Sequence, residues 1–387
     1  MRRAYITSGW FILMSVLSLV TYAQDIQFSQ YNAYPLYLNP ALTGKIQQQR
    51  VALNSRSQWL NVDGAFSTAG FSYDYNLKNI NSGLGIIVIQ DETSGGGMAT
   101  STVGGLYSYH LRVGSSLGLN TGFKVSYNQQ KLDPGKLTFT DQLLRNDGSS
   151  TYEIFDHLAH DYIDYSWGTV LYLADSSADK SYWLGMAFDH LTKPDVTFKG
   201  IDGKLPLKFT LHGGAQIRMS KNDIGFPENV ISYFFQYKSQ LKWDQAEFGA
   251  SYIKRIPHKK RTMKDWKKTQ AKFEPSYKQH KGYTTASSTP MPLVYAEGGL
   301  TYRGLPLFKK YRPGYSNHEA IIVLLGFNYY DVKVSYSYDL TISKLGQRNT
   351  AGVHEITMNY IFAAVYDADK RSKKKKAKKQ KALFSGS

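Results

Sequence analysis

The sequence predicts an all-β chain: a closed antiparallel transmembrane β-barrel of about 14 strands, with a short N-terminal segment at its periplasmic mouth and a disordered basic C-terminal tail. Three observations carry that expectation. Apolar side chains recur at every second position in stretch after stretch, and the chain opens with an export leader. Its 387 residues also hold no Cys, 33 Gly and 30 Tyr with only 20% charged residues, a composition that disfavours helical enzymes. The missing thiol excludes a disulfide scaffold, thiolate catalysis, iron–sulfur clusters and Cys-ligated zinc.

The leader comes first. Arg2 and Arg3 precede an apolar run over residues 9–20, and Thr21-Tyr22-Ala23 places a small residue before Gln24, so cleavage is expected after Ala23. The run is shorter than the roughly 20 residues a spanning helix needs, and an uncleaved anchor is the rival reading. Export removes nucleic acid as a partner. The expected division is 1–23 leader, 24–47 plug-like periplasmic segment, 48–362 barrel and 363–387 tail.

In the 24–47 segment Tyr34, Leu36, Leu38 and Leu42 lack membrane alternation, and Asn39-Pro40-Ala41 forms a turn in which Pro40 fixes φ. Its expected place is inside or across the periplasmic mouth. The strands follow. Leu117, Leu119, Thr121, Phe123, Val125 and Tyr127 alternate with Gly118, Asn120, Gly122, Lys124, Ser126 and Asn128. Residues 207–219 and 331–340 do the same, and further runs lie near 48–60, 66–77, 83–91, 99–113, 163–175, 181–191, 230–241, 244–254, 291–304, 319–329 and 352–362. That makes 14 runs of about 9–13 residues, the pattern of a membrane barrel; the alternative is a Tyr-rich soluble sandwich, which needs no apolar outer face. Tyr73 with Tyr75, Tyr107 with Tyr109, Tyr233-Phe234-Phe235 and Tyr329-Tyr330 suit interfacial aromatic belts. With the N-terminus in the periplasm, odd-numbered connections fall outside the cell, including the long 132–162 and 192–205 stretches.

Charge is concentrated. Residues 254–281, with Lys259, Lys260 and Arg261, carry a net +9, as do residues 370–381 with Lys373, Lys374, Lys375 and Lys376. Together with Arg2 and Arg3 these hold +20 of a net +17, leaving −3 for everything else. Both appendages fall on the periplasmic side and suit an acidic partner, whether protein, lipid headgroup or cell-wall polymer; a merely solvated tail is the bland alternative.

Other chemistry is thin. His110, His212 and His354 occupy polar-face positions and read as lumen-lining. Asp156, His157, His160, Asp161 and Asp164 have metal-capable spacing in an extracellular loop, where His157 and His160 suit one helical face and Asp161 could complete a site for zinc or calcium, although a solvated loop accounts for them as well. No cofactor and no catalytic constellation are expected.

Gln27-Phe28-Ser29-Gln30-Tyr31, Leu38-Asn39-Pro40-Ala41-Leu42-Thr43-Gly44, Arg56-Ser57-Gln58-Trp59 and Phe66-Ser67-Thr68 at one end, with Ser337-Tyr338-Asp339-Leu340-Thr341 and Gly352-Val353-His354-Glu355-Ile356 at the other, resemble the PorP/SprF family of Bacteroidetes outer-membrane proteins. The resemblance covers about residues 24–362 and implies a non-enzymatic outer-membrane subunit of the type IX secretion and gliding-motility machinery. Implied partners are other machine subunits on the periplasmic side, a secreted surface protein outside and outer-membrane lipid, with Asn39, Pro40, Ala41, Arg56, Trp59, Tyr338 and Asp339 as family-type contact candidates beside the lysines named above. A passive outer-membrane channel for small or hydrophobic solutes is the alternative. The 25 residues after Phe362 and the enlarged 255–290 loop depart from the family's usual form.

Overall fold

The computed structural model describes residues 25–362 apart from 47–48, 63, 94, 96, 115, 146–149, 156, 175–178, 199–202, 222–226, 242, 257–293, 306–317 and 345. Fourteen strands form one closed ring: β1 Gln49–Gln58, β2 Phe66–Leu77, β3 Ser82–Thr93, β4 Met98–Arg112, β5 Leu117–Leu132, β6 Ala159–Ala174, β7 Lys180–Asp189, β8 Lys208–Lys221, β9 Pro227–Gln240, β10 Trp243–Arg255, β11 Val294–Gly304, β12 His318–Tyr329, β13 Val332–Thr341 and β14 Val353–Phe362. Every strand is antiparallel to its predecessor, and β14 returns to β1 in register from Gln49↔Phe362 to Gln58↔Val353. The seam leaves no edge strand, as a sheet bathed in hydrocarbon requires.

The period-two pattern puts each strand's two residue sets where their chemistry demands. On the outside, Leu84, Ile86 and Val88 of β3, Val103 and Tyr107 of β4, and Phe123, Val125 and Tyr127 of β5 are exposed. On the inside, Ser72 and Asp74 of β2, Ser108 of β4 and Asn120, Ser126 and Asn128 of β5 are buried. A surface this apolar facing outward and this polar facing inward inverts the soluble pattern and identifies the outer face as the lipid face. No helix among the described residues is long and apolar enough to cross a membrane.

Two expectations shift. Phe234 was grouped with outward aromatics, but its backbone pairs with Gly214 and Gly249 and its ring meets Tyr31 in the lumen at 6.1 Å. His354 was expected in the lumen; inward positions on β14 are Val353, Glu355 and Thr357, and His354 faces outward, its Nδ1 2.8 Å from the Tyr336 hydroxyl. It belongs to the same parity as Met358 and Tyr360.

The lumen of a 14-strand ring is too wide for its own side chains to fill, since about eight strands already reach that limit. Residues 25–46 occupy it. They contain α1 (Pro35–Leu38) and a 3-10 turn (Pro40–Leu42), and their apolar side chains complete the two larger buried clusters. Phe28, Tyr34 and Leu36 pack on Ala52, Ile87, Ile89 and Leu106, while Tyr31, Leu38, Ala41 and Leu42 pack on Val170 and Tyr172. The barrel's apolar core is this strut.

Val125→Arg places a cation near the middle of the lipid face and should destabilise the folded barrel by roughly 2–4 kcal/mol, read from urea unfolding in liposomes. An unchanged midpoint would mean that this face does not meet hydrocarbon.

Candidate functional site

The strut runs the length of the lumen instead of capping one mouth, and its first described residue, Asp25, lies at the end opposite the start of β1, which corrects the expectation that the N-terminal segment stays at the periplasmic mouth. Call the near end the one where β1 starts and β14 finishes, and the far end its opposite. Asp25 lies at the far end, where β7 stops and β8 starts; Gly44 lies at the near end beside Asp74 and Asn76 of β2.

At the far end two clusters fasten it. The first straddles the seam. The backbone N–H groups of Ser29 and Gln30 donate to the Glu355 carboxylate at 2.7 and 3.1 Å, the Gln30 amide donates to the Glu355 carbonyl at 2.9 Å, and the Ser29 hydroxyl donates to Asp339 at 2.6 Å. Arg56 and Arg303 in turn donate to that hydroxyl at 2.6 and 3.2 Å. The guanidiniums also hold the acids: Arg303 to Asp339 at 2.6 Å and to Glu319 at 3.0 Å, Arg56 to Glu355 at 3.3 Å. Arg56, Arg303, Asp339 and Glu355 are all 0–3% exposed. Charges that deep persist only when paired and hydrogen-bonded, so each depends on the others and on the strut.

The second cluster holds Asp25. Its Oδ2 accepts from His190 Nε2 and from Lys208 Nζ, both at 2.7 Å. His190 Nδ1 donates to Asp164 at 3.0 Å, Lys208 reaches Asp189 at 3.2 Å, and Lys124 reaches Asp189 at 3.3 Å. Burial works against the charged form of His190, but Asp25 and Asp164 overrule it and push the imidazole up to about 9. Burial likewise opposes the charged Asp25, yet His190 and Lys208 hold its carboxyl well below the usual range.

At the near end the Gly44 N–H donates to Asp74 at 2.8 Å, and Asp74 also receives Arg50 at 2.8 and 3.0 Å. The Asn76 amide donates to the Gly44 carbonyl at 2.5 Å, and Gly44 has φ +63°, where a side chain would be strained. Between the anchors Asn39 does the work of several residues. Its Oδ1 accepts from Ala41 N at 2.9 Å, capping the 3-10 turn, while its amide donates to the carbonyls of Met186 at 3.0 Å and Thr169 at 3.2 Å and faces His212 Nε2 at 3.1 Å.

The family match follows that geometry. Residues 20–360 match the family described as "Type IX secretion system membrane protein PorP/SprF". The chain belongs to the PorP/SprF family. This PorP/SprF barrel is also similar, at 10% identity, to the P. putida toluene transporter TodX (84% of this chain, 92% of that one, TM-score 0.40) and to CdiB from Acinetobacter baumannii (82% and 60%, TM-score 0.40). It is similar at 8% identity to BamA from Haemophilus ducreyi lacking POTRA domains 1-3 (82% and 70%, TM-score 0.36). A 72-residue stretch is 36% identical to "Probable aminopeptidase YbaC" of Bacillus subtilis (strain 168), and the chain spans about a fifth of that curated relative's length.

Of the contact candidates of this PorP/SprF protein, Asn39, Pro40, Ala41, Arg56 and Asp339 are buried against one another and the wall. They bind the chain to itself, and an outside partner reaches none of them in this arrangement. Trp59 follows β1 with φ +59° and packs edge-on to Phe66 at 5.7 Å; Tyr338 faces outward, 4.8 Å from the His354 ring. Lys259, Lys260, Arg261 and Lys373–Lys376 lie outside the described residues. The His157, His160 and Asp161 grouping does not form, because β6 begins at Ala159 and sends His160 and Asp161 to opposite faces. His160 instead meets the Asp195 carbonyl at 2.7 Å. Sequence reasoning missed Glu355, Arg303, Asp25 and His190 as anchors; the available signal was ionisable residues at inward-parity positions close to strand ends.

Arg303→Met leaves Asp339 buried without the guanidinium that donates to it at 2.6 Å and should cost roughly 3–5 kcal/mol, with Asp339→Asn in the same chain recovering part of it; urea unfolding of both variants measures this. The Asp25 cluster gives a pH prediction. A raised His190 contributes stability fully below about 6.5, its ordinary value, and loses it as pH rises through about 9. The depressed Asp25 contributes above its ordinary value near 3.9 and loses it as pH falls further. Protection of Asp25–Gln30 from hydrogen exchange should therefore fall between about pH 6.5 and 9, and His190→Ala should abolish that fall. A flat wild-type profile contradicts the assignment.

Proposed function

We propose that this barrel is a non-enzymatic outer-membrane scaffold of the type IX secretion and gliding machinery. Its work is done on the two rims and not through the lumen. The single observation that supports the reading is the strut: a segment that occupies the lumen from Asp25 to Gly44 and is fastened at both ends stands in the way of a solute or a polypeptide, which leaves recognition to the exposed connections.

With the near end in the periplasm, the strands that flank the basic 256–293 stretch and the tail, Arg255, Val294 and Phe362, all sit on the periplasmic rim. Those +9 stretches then face the other machine subunits. The connections 133–158 and 190–207 face outward and hold a secreted surface protein. In the first of these Asp141 organises a folded lobe, accepting from Tyr152 N at 2.7 Å, Thr151 Oγ1 at 2.9 Å and Arg145 at 3.0 Å. Leu144, Tyr152 and Ile154 project from it, 74–82% exposed, and are the apolar anchors a protein partner uses. Residues 1–23 are removed on export, so that the mature chain begins one residue before Asp25.

Deleting residues 367–387 should leave the heat-modifiable barrel intact and reduce recovery of periplasmic subunits from detergent-solubilised outer membranes. Leu144→Ser with Ile154→Ser should instead reduce recovery of the secreted protein alone. Unchanged recovery in both pull-downs sinks the scaffold reading.

A further inference from the structure

Glycines on the inner wall are not spread at random. Along β2, β3, β5 and β6 the positions facing the strut are Gly70, Gly83 with Gly85, Gly122 and Gly168. A Cβ at Gly70 would strike the Tyr34 phenol, one at Gly83 the Thr43 carbonyl, one at Gly122 the Pro40 carbonyl and one at Gly168 the Asn39 carboxamide. None of these five has a positive φ, so their conformation does not call for glycine. Lipid-facing Gly105 and Gly298 differ, since a Cβ there would meet nothing within 4 Å. Close approach of the strut is what these glycines permit, by its backbone at Gly83 and Gly122 and by its side chains at Gly70, Gly85 and Gly168. The strand between them, β4, supplies Ser108 at the matching place, and its hydroxyl donates to the Thr43 carbonyl at 2.6 Å. Four strands thus give way and a fifth bonds.

We infer that this glycine track is a peptide-binding groove whose resident ligand is the chain's own segment from Leu36 to Gly44, and that seating there shuts an otherwise open, ion-conducting pore. The segment has the character of a bound peptide. It joins no strand ladder, and the ring closes without it through β1 and β14. Its central turn is held by the wall's carbonyls, hydroxyls and missing side chains. The wall it covers is hydrophilic enough to hold water once bare: Asn54, Asp74, Asn120, Lys124, Asn128 and Gln236 all face inward. At 14 strands the empty ring lies between the eight that side chains can fill and the 16–18 of open porins, so a vacated lumen passes small hydrated ions. This gate is separate from the rims that dock partners, and its test does not depend on them.

The test uses the full-length chain, whose lack of cysteine lets Leu42→Cys report seating by maleimide labelling without background. Leu42 is 5% exposed, so the reporter should be protected in the otherwise wild-type chain, which should hold planar bilayers nearly silent. Gly122→Val with Gly168→Val should expose the reporter and raise steady conductance at least tenfold, while Gly105→Val should match wild type in both readouts. Should the wall variants fail to assemble as heat-modifiable barrels, Asn39→Ala, which leaves the wall native, carries the same two readouts. A reporter that stays protected shows that the track is not the seat. A reporter that is exposed without conductance, or a wild type already conducting at the variants' level, shows that the seat does not close the pore.

Discussion

An unpaired peptide group in hydrocarbon costs several kcal/mol, and the rest of this molecule follows from that penalty. It forces a ring with no edge; Gln49 to Gln58 and Val353 to Phe362 must find each other although the whole chain lies between them. A ring of 14 strands then encloses more space than its inward side chains occupy. The polar inner face cannot collapse on itself, so either water or another piece of chain must satisfy it. Here residues 25–46 do so, and they bring with them the apolar groups that Ile87, Leu106 and Val170 need.

Electrostatics fixes where the strut sits, and shape fixes how deep. Arg56, Arg303, Asp339 and Glu355 form an alternating set of charges across β1, β11, β13 and β14, and Ser29 is inserted at its centre. Isolated burial of any one would be prohibitive; the set is tolerable because guanidiniums match carboxylates and the strut's N–H groups donate to Glu355. The same cluster ties the two chain ends together, since Ser29 and Glu355 are 326 residues apart. Removing the strut would therefore strip Glu355 and Asp339 of the donors Ser29 and Gln30 next to the very seam that closes the sheet.

The fold was legible because lipid selects every second residue and the selection is relentless over 14 strands. Strand ends were less so. Ala159–Tyr162 carries His160 and Asp161 and looks like loop, yet it extends β6 because β5 offers a partner as far as Lys131. His354 looked inward by polarity; what places it is the parity of Glu355, whose burial is decided by Ser29 and Arg56, residues distant in sequence. The site shows the same division. Asn39-Pro40-Ala41 could be read as a turn, and the turn exists, but what receives it is a pair of glycines on β5 and β6, Gly122 and Gly168. A glycine in a strand gives no sequence signal of what approaches it.

The order of assembly is constrained by the same contacts. The near anchor, Gly44 with Asp74, needs only β1 and β2, so it is available as soon as the first hairpin exists. The turn of Pro40–Leu42 needs β4 through β6. The far anchor needs β8 for Lys208 and then β11, β13 and β14 for Arg303, Asp339 and Glu355. Adding β14 is the step that makes the hydrogen bonds to Glu355 possible, so the far anchor cannot be complete before the strand that closes the ring is in place. Loop-closure entropy for contacts some 300 residues apart is largest at that final step, and the closing ladder and the Ser29 cluster supply their favourable free energy at the same moment. Ring closure and the strut's far anchor share one strand, because the strand that completes the sheet also carries the carboxylate that receives Ser29 and Gln30.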